Sequence, residues 1–294
     1  MKIAFKVDVD TLEGTKKGAL KLASLFKASD VDATFLFALG EEQMGRSIFR
    51  AFNKGFIAKC LKSNVAGNYP LKTLLRGTLL PSPLISEKCP QVLGEIYGAG
   101  FECGVHSWSH YKWQNRLAKM KRAEIEREFC AALNAVAQIT GHKCVSCGSA
   151  GWQVSADYLA LQDEFSMRYA SDSRGAFPFV PRFGGRVYNT IQIPSTLPTL
   201  DEFLCRNRLE DASDFYASEI AKRDFSVMTI HAELEGTAFF DWFEKFLARL
   251  KKTDAQFVRL RDYAETLDRS KLPVCDLQMS PFPERSGLLA VQKV

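Results

Sequence analysis

Short apolar segments typical of β-strands alternate along the chain with longer segments that have the apolar spacing of helices. The strand-like segments, in order, are KIAFKVDVD, VDATFLFALG, GFECGVH, SMRYASD and DFSVMTIH. The helix-like segments are TKKGALKLASLFKASD, KMKRAEIEREFCAALNAVAQITG and DWFEKFLARLKK. This alternation predicts a mostly parallel sheet covered by helices, either doubly wound or closed as a barrel. After Leu272, prolines at positions 273, 281 and 283 predict a loose C-terminal tail over residues 273–294.

Acidic and histidine side chains stand at the carboxyl ends of the predicted strands. Asp8 and Asp10 end the first strand, His106 ends GFECGVH, and Asp172 and His231 end the two later strands. In parallel α/β architectures the carboxyl ends of the strands meet at one mouth, which is where active sites lie. We therefore expect these side chains, which are far apart in sequence, to share one pocket.

The segment HSWSH and the first strand together have the composition of a metal site. His106 and His110 are four residues apart, so both imidazoles can reach one cation. An acid from the first strand would complete a two-histidine, one-carboxylate site for a catalytic divalent metal. Asp8 and Asp10 also repel each other, which favours a bound cation or the use of one acid as a base. The structural alternative is a turn that these residues cap.

Composition excludes several classes of protein. The chain has 294 residues, of which 46% are hydrophobic and 25% charged, so it can bury a sizeable core. Uncharged apolar runs of about 18 residues are lacking, so we expect no membrane span, and the charged first twenty residues predict no export signal. Eight scattered cysteines then indicate reduced thiols and a cytosolic location.

The excess positive charge lies in one segment. From Gln43 to Ser86 there is no acid and seven Lys and Arg residues give +7, which leaves −2 for the rest of a chain of net charge +5. Basic and aromatic residues repeat there at helical spacing, which predicts an amphipathic helix in the interface of an anionic membrane. The predicted membrane-binding residues are Arg46, Phe49, Arg50, Phe52, Lys54, Phe56 and Lys59. The alternatives are a helical hairpin with a phenylalanine core and a nucleic-acid surface, and because no nucleic-acid motif is present we expect no nucleic-acid partner.

Five short motifs have the order found in a known family. DVD, HSWSH, SAGW, the SD after a strand and TIH resemble the five motifs of polysaccharide deacetylases with the NodB homology domain. Longer stretches resemble the branch of that family that deformylates formamido-arabinose carried by phosphoundecaprenol in lipid A modification; they are VDVDTLEGT, ATFLFALGEEQMGR, SAGWQ, YASDSRG, QIPSTLPTLDEF and TIHAELEG. The resemblance reaches to about residue 270. It implies a distorted (β/α) barrel as a single domain over residues 1–272, with the basic segment as an insertion at about 43–86.

The resemblance also implies a reaction and a role for each motif residue. The reaction is hydrolysis of an N-formyl group to an amine and formate, on a lipid-linked sugar at the cytosolic face of the bacterial inner membrane. Asp10, His106 and His110 would bind one divalent transition metal, namely zinc, cobalt, manganese or nickel. Asp8 would be the general base, His231 the general acid, and Asp172 the group that holds the charge state of His231.

Further residues near these motifs complete the expected site. Trp152, Gln153 and Glu235 are expected to contact the substrate. Gln153 stands where close relatives have an arginine near the base, so we expect Arg174 in SDSRG to stabilise Asp8 instead. A deacetylase that acts on another N-acylated sugar and an inactive membrane-surface binding protein remain the alternative functions.

Overall fold

The computed structural model describes residues 1–46, 71–285 and 287–294. In these ranges the strands are β1 (Lys2–Val9), β2 (Ala33–Ala38), β3 (Glu102–Ser107), β4 (Ser146–Cys147), β5 (Tyr169–Ala170), β6 (Val180–Phe183), β7 (Arg186–Val187), β8 (Ile191–Gln192), β9 (Phe225–His231), β10 (Gln256–Phe257), β11 (Val274–Pro281) and β12 (Leu288–Lys293). The helices are α1 (Leu20–Ala28), α2 (Leu71–Leu75), α3 (Ile85–Lys88), α4 (Pro90–Gly98), α5 (His110–Arg116), α6 (Arg122–Thr140), α7 (Ala156–Glu164), α8 (Leu200–Leu204), α9 (Leu209–Ala221), α10 (Phe240–Leu250) and α11 (Leu260–Glu265). π-Helical turns cover Gly14–Ala19 and Leu234–Ala238, and short 3-10 turns cover Leu117–Lys119, Ala150–Trp152 and Arg269–Lys271.

Eight of the described strands form one sheet in which every pairing is parallel. β1 pairs with β9 on one side and with β2 on the other, and the sheet continues from β2 through β3, β4 and β5 to β8, with β10 beside the start of β1. The segment after β8 returns to β9, where the Thr196 amide donates to the carbonyl of Val227 at 3.1 Å. The sheet is therefore wrapped into a distorted (β/α) barrel, which confirms the predicted fold class.

The side chains of β1 are buried on both faces of the strand, and the two faces have different surroundings. On the outer face, the ring of Phe5 lies 5.4 Å from that of Phe26 in α1 and 5.4 Å from that of Phe243 in α10. On the inner face, Lys6 and Asp8 are almost completely buried. Apolar side chains on the outer face therefore pack against the helices, whereas the inner face contains charged side chains near the mouth of the barrel.

The C-terminal segment forms part of a second sheet, so the prediction of a loose tail over 273–294 is wrong. The order in this sheet is β12-β11-β6-β7, with β11 antiparallel to β12 and parallel to β6. The backbone of β12 also bonds to Arg174, whose amide donates to Ala290 at 2.9 Å. The prolines that suggested a tail precede β11, end it or lie in the following turn, where a missing N–H is tolerated.

The described flanks of the basic segment are held against the barrel. Of the predicted membrane-binding residues, Arg46 is described and its Nε donates to the Gly77 carbonyl at 2.9 Å. The other predicted membrane-binding residues lie outside the described ranges, namely Phe49, Arg50, Phe52, Lys54, Phe56 and Lys59. Arg76 pairs with Glu42 at 2.7 Å, while Leu79 is 80% exposed. Within the described ranges, none of the helices has the length and apolar character needed to cross a membrane.

Candidate active site

Asp10, His106 and His110 come together at the mouth of the barrel. Asp10 follows β1, His106 lies in β3 and His110 begins α5. The Nε2 of His106 lies 3.3 Å from the Oδ1 of Asp10, and the Nε2 of His110 lies 3.3 Å from the Oδ2 of Asp10. The possible ligand atoms are all within 4.8 Å of one another. Two donors that bind one tetrahedral ion at about 2.0–2.1 Å are about 3.3 Å apart. The three predicted metal ligands therefore have the spacing that a divalent ion requires.

The electrostatics of this cluster also suit a metal. Burial raises the pKa of Asp10, but His110, His106, His231 and Lys6 outweigh burial and the pKa is lowered. Burial lowers the pKa of His110 more than Asp10 raises it. The carboxylate is therefore ionised and the imidazole neutral, which are the forms that bind a metal. The buried Oδ1 of Asp10 also has no hydrogen-bond partner among the described residues.

Asp8 lies beside the cluster and next to a buried cation. One carboxylate oxygen, Oδ1, is 3.7 Å from His106 Nδ1, and the other, Oδ2, is 3.5 Å from the Nζ of Lys6. Lys6 is completely buried, and its Nζ also donates to the carbonyl of Ser171 at 3.1 Å. Lys6 was missed in the sequence, although it precedes Asp8 by two residues on the same face of β1.

The structure places Arg174 elsewhere, which corrects its predicted role. Its Nη1 contacts both carboxylate oxygens of Glu202, at 3.1 and 3.0 Å, and its Nη2 donates to the Leu197 carbonyl at 2.8 Å. Arg174 follows β5, so its side chain reaches α8 and the residues before it. The cation beside Asp8 is Lys6, and Arg174 neutralises a different acid.

His231 ends β9 directly beside Asp8, with which it is paired in register across the two parallel strands. Burial lowers its pKa, but the carboxylates of Asp201, Asp10, Glu235 and Asp8 outweigh burial, so the pKa is raised above its usual value. Asp201, in α8, has the largest effect among them. The surroundings thus favour the protonated imidazole that a general acid needs.

Asp172 supports the barrel rather than His231, which corrects its predicted role. Its carboxylate accepts from the Ser149 amide at 2.7 Å, from Gln162 Nε2 at 2.7 Å and from Gln192 Nε2 at 3.0 Å. Burial raises its pKa despite these bonds. These contacts join the segments after β4 and β5 to α7 and β8. Asp201, whose charge has the largest raising effect on the pKa of His231, stands in the quoted stretch QIPSTLPTLDEF.

Two of the predicted substrate-binding residues have structural contacts. Gln153 Nε2 donates to the carbonyls of Gly151 and Leu288, at 3.0 and 2.7 Å, so this amide ties the turn after β4 to β12. Glu235 is completely buried and accepts from the amide of His231 at 2.8 Å. Contact of these two residues with substrate stays a prediction.

The ring of Trp152 lies close to three cationic side chains. The indole is 3% exposed, and its Nε1 donates to Ser195 Oγ at 3.2 Å. Lys6 Nζ lies 5.3 Å from the ring centre, and the guanidinium carbons of Arg174 and Arg285 lie 5.0 and 5.1 Å away. Its φ of 51° is in the left-handed region. Contact of this ring with substrate stays a prediction.

A second residue missed in the sequence fixes the backbone of Asp10. Glu233 Oε1 accepts from the amides of Asp10 and Thr11, at 2.9 and 2.7 Å, and from Thr11 Oγ1 at 2.9 Å. Burial, and then the charge of Asp10, raise the pKa of Glu233 to about 8. A small pocket lies on the other side of Asp10 and His110 and is lined partly by Trp108.

Comparisons with known proteins identify the family of this chain. The polysaccharide deacetylase family model matches residues 13–170. A curated relative from Shewanella sediminis (strain HAW-EB3), named "Probable 4-deoxy-4-formamido-L-arabinose-phosphoundecaprenol deformylase ArnD", is 34% identical over 99% of this chain and 94% of its own. A relative of the same name from Wigglesworthia glossinidia brevipalpis is 30% identical over 95% of this chain and 98% of its own. A solved "probable polysaccharide deacetylase" from Pseudomonas aeruginosa PAO1 has the same fold, with a TM-score of 0.59, 16% identity and coverage of 90% of this chain and 89% of its own. With its barrel, its motif residues at the mouth and these matches, the chain belongs to the polysaccharide deacetylase family.

Proposed function

We propose that this protein is a metal-dependent hydrolase that removes the N-formyl group from 4-deoxy-4-formamido-L-arabinose carried by undecaprenyl phosphate. The observation that carries the proposal is the pairing of Asp8 and His231 on adjacent strands beside Asp10, His106 and His110. A metal site alone requires neither Asp8 nor His231. The names of the two curated relatives specify both the formyl group and this sugar, and both relatives align with this chain over nearly its full length. They therefore support the choice of this substrate.

The arrangement divides the hydrolysis among named side chains. An amide is a poor electrophile with a poor leaving group. Asp10, His106 and His110 would hold a divalent ion, which would supply Lewis acidity toward the formyl carbonyl and toward water. Asp8 takes a proton from the attacking water, and the Nζ of Lys6 lies 3.5 Å from the Oδ2 of Asp8. The water oxygen bonds to the formyl carbon, the C–N bond breaks, and His231 gives its proton to the departing nitrogen. The products are formate and the free amino sugar.

The ligand set is compatible with several metals. Two imidazoles and one carboxylate bind zinc, cobalt, manganese and nickel, and availability decides among them. We propose one such ion per chain, and elemental analysis of the protein purified without added metal measures both the identity and the amount.

The same proposal assigns the protein to a membrane surface. An undecaprenyl chain stays in the bilayer, so the mouth of the barrel must reach the interface. The segment from Gln43 to Ser86 has a charge of +7 with no acid, and Leu79 on its described flank is 80% exposed. We therefore place the protein as a peripheral protein on the anionic cytosolic leaflet of the bacterial inner membrane.

Sedimentation with vesicles tests the membrane assignment. Replacement of Arg50, Lys54 and Lys59 by glutamate reverses three charges of the basic segment, and we expect binding to anionic vesicles to be lost. The control replaces Lys245, in α10, and Lys251 and Lys252, just after it, by glutamate. Equal binding by the two triple variants would contradict docking through the basic segment.

Formate release tests the reaction. The assay uses the lipid-linked formamido-arabinose in detergent, with chelator or added metal, and compares the wild type with Asp8→Asn. We expect metal-dependent formate from the wild type and a fall of about 10²–10⁴-fold in the variant, since this is the usual contribution of a general base. The control is Asp241→Asn, at an exposed acid in α10. Acetate from an acetylated sugar without formate would identify a deacetylase of another sugar, and no product from metal-loaded protein would indicate an inactive binding protein.

A further inference from the structure

The basic segment leaves and rejoins the barrel beside the histidine motif. Before the segment begins, the Gly40 amide donates to the Trp108 carbonyl at 2.8 Å. A Cβ on Gly40 would lie 2.8 Å from that same oxygen, so the two backbones are closer than a larger residue would allow. Trp108 stands between His106 and His110, and at the other end of the segment the Ile85 amide donates to the Gly40 carbonyl at 3.0 Å. The base of the segment is therefore packed against the backbone of the predicted histidine ligands.

Arg76, on the returning side of the segment, is paired with an acid on the outgoing side. Its Nη1 lies 2.7 Å from Glu42 Oε2, and its Nη2 lies 3.8 Å from Glu13 Oε1. The side chain of Glu42 is 1% exposed and that of Arg76 is 13% exposed. The backbones of the two sides are also joined, because the Gly45 amide donates to the Arg76 carbonyl at 2.9 Å. Arg76 and Glu42 thus form a buried ion pair at the base of the segment.

Glu42 in turn contacts the turn that carries Asp10. Its Oε2, the same oxygen that contacts Arg76, accepts from the Leu12 amide at 3.1 Å. From the barrel side, Glu233 Oε1 accepts from the amides of Asp10 and Thr11 at 2.9 and 2.7 Å. Three consecutive amides are therefore held by two buried carboxylates. One carboxylate belongs to the barrel, and the other stands at the edge of the basic segment.

The position of Glu42 depends on Arg76. Burial raises the pKa of Glu42, and the charge of Arg76 opposes this more than the hydrogen bond from Leu12 does. The other carboxylate oxygen, Oε1, is buried and has no hydrogen-bond partner among the described residues. A buried carboxylate that loses its cation is strongly destabilised. We therefore expect that Glu42 would leave the Leu12 amide if Arg76 were removed.

We propose that Arg76 is a positioning residue of the metal centre, which holds the Glu42 carboxylate on the Leu12 amide and thereby fixes the turn that carries Asp10. This inference rests on the proposed function, because it concerns the metal site assigned there. Arg76 acts through Glu42 and contacts neither the metal ligands nor the substrate. Groups that orient metal ligands from outside contribute to metal affinity in this way. The base of the basic segment would then support the metal site, in addition to the role of the segment at the membrane.

The direction of the change in metal affinity separates positioning from a simple effect of charge. Arg76 is a cation near the site of a second cation, so removal of its charge alone would strengthen metal binding. The unpaired carboxylate of Glu42 would act in the same direction. Release of the turn that carries Asp10 would instead weaken metal binding. A weaker affinity after loss of Arg76 is therefore evidence for positioning.

A cobalt titration of the chelator-treated full-length protein, in competition with a chromophoric chelator, is the first test. We expect Arg76→Met to raise the Kd for cobalt by about 10–100-fold, which is the usual cost of losing a group that orients a metal ligand. Glu42→Ala should also raise the Kd, and the double variant should bind cobalt no more weakly than the weaker single variant. The matched control is Lys88→Met, at an exposed position of α3 just beyond the segment, and it should leave the Kd unchanged.

Two further readouts separate this role from a general loss of stability. The visible absorption of bound cobalt depends on the ligand geometry, so at saturating cobalt Arg76→Met should differ from the wild type while Lys88→Met should not. The cobalt concentration that gives half-maximal formate release should rise by the same factor as the Kd. Arg76→Lys keeps the charge but loses the planar fork, so it should raise the Kd less. This variant carries the test if Arg76→Met does not fold.

Three results would overturn the inference. One is an unchanged or lowered Kd in both Arg76 variants. Another is a full multiplication of the two defects in the double variant, and the third is an equal rise of the Kd in Lys88→Met. A wild type that binds no divalent ion would overturn the metal dependence in the proposed function. A wild type that binds cobalt and releases formate, with Arg76 variants that bind cobalt equally well, would overturn only the inference.

Discussion

Glu235 is a buried acid whose ionisation should oppose folding. It is completely buried, its Oε2 accepts from the amide of His231 at 2.8 Å, and its Oε1 has no hydrogen-bond partner among the described residues. Burial raises its pKa from the ordinary 4.5 to about 7, against the charge of His231 and that backbone bond. A folded-state pKa above the unfolded value means that the stabilising proton is fully present below about pH 4.5 and is lost as the pH rises through about 7.

The size of the effect follows from this difference in pKa. The difference from 4.5 to about 7 is roughly 2.5 pH units, and each unit corresponds to about 1.36 kcal/mol, so ionisation of buried Glu235 costs about 3 kcal/mol at pH 8. Glu235→Gln replaces the acid with a neutral group of the same shape whose oxygen can still accept from His231. We therefore expect the variant to resemble the wild type near pH 4.5 and to be about 3 kcal/mol more stable at pH 8.

Urea unfolding of the chelator-treated protein, at intervals from pH 4.5 to 8, measures this difference. Glu244→Gln, at an exposed acid of α10, is the matched control and should follow the wild type at every pH. Comparison across pH removes any constant effect of the amide on packing. Parallel stability curves for the wild type and Glu235→Gln would refute the reasoning, because they would mean that Glu235 ionises as easily in the folded protein as in the unfolded one.

Three further predictions concern the barrel mouth. Lys6→Met should lower kcat by about 10²-fold at unchanged metal content, because Asp8 loses the buried amine that lies 3.5 Å from its Oδ2. Lys6→Arg should retain most of the activity, and turnover of the two variants with elemental analysis measures this. Asp10→Asn should lose the metal and Asp8→Asn should keep it, and equal metal content in the two variants would contradict the division of roles. Gly18→Ala should destabilise the protein by about 1–3 kcal/mol in urea unfolding, because the new Cβ would lie 1.8 Å from a backbone oxygen after β9, whereas Gly94→Ala has 3.7 Å of room and should not.

Much of the fold and the metal cluster could be predicted from short-range pattern. The alternation of apolar residues in β1 and the spacing of the two histidines in HSWSH are features of short stretches of sequence. Because the carboxyl ends of parallel strands meet at one mouth, Asp10, His106 and His110 could be expected in one pocket. The helix predicted in KMKRAEIEREFCAALNAVAQITG is α6, which ends at Thr140 with Gly141 at a φ of 75° after it. These features depend on backbone geometry that the local sequence determines.

Pairings between side chains could not be predicted in this way. Arg174 and Asp172 both follow β5, but the choice of Glu202 as partner for Arg174 depends on where α8 packs, and spacing does not encode that position. The family resemblance implied that Asp172 holds the charge state of His231, whereas amides of Gln162 and Gln192 surround Asp172. The C-terminal strands were missed because their prolines lie just where strands begin and end, and their partner β6 is about ninety residues earlier in the chain.

Lys6 explains why the first strand ends in two acids. A lysine inside a barrel is expensive to bury unless an acid is buried with it. Asp8 supplies that acid, with its Oδ2 3.5 Å from the Nζ of Lys6. The charge of Asp8 is therefore already paired with that of Lys6 within the protein. A second acid, Asp10, is needed to bind a metal ion. The sequence Lys6-Val7-Asp8-Val9-Asp10 thus contains one internal ion pair and one free ligand on a single face, and for this reason we assign proton transfer to Asp8 and metal binding to Asp10.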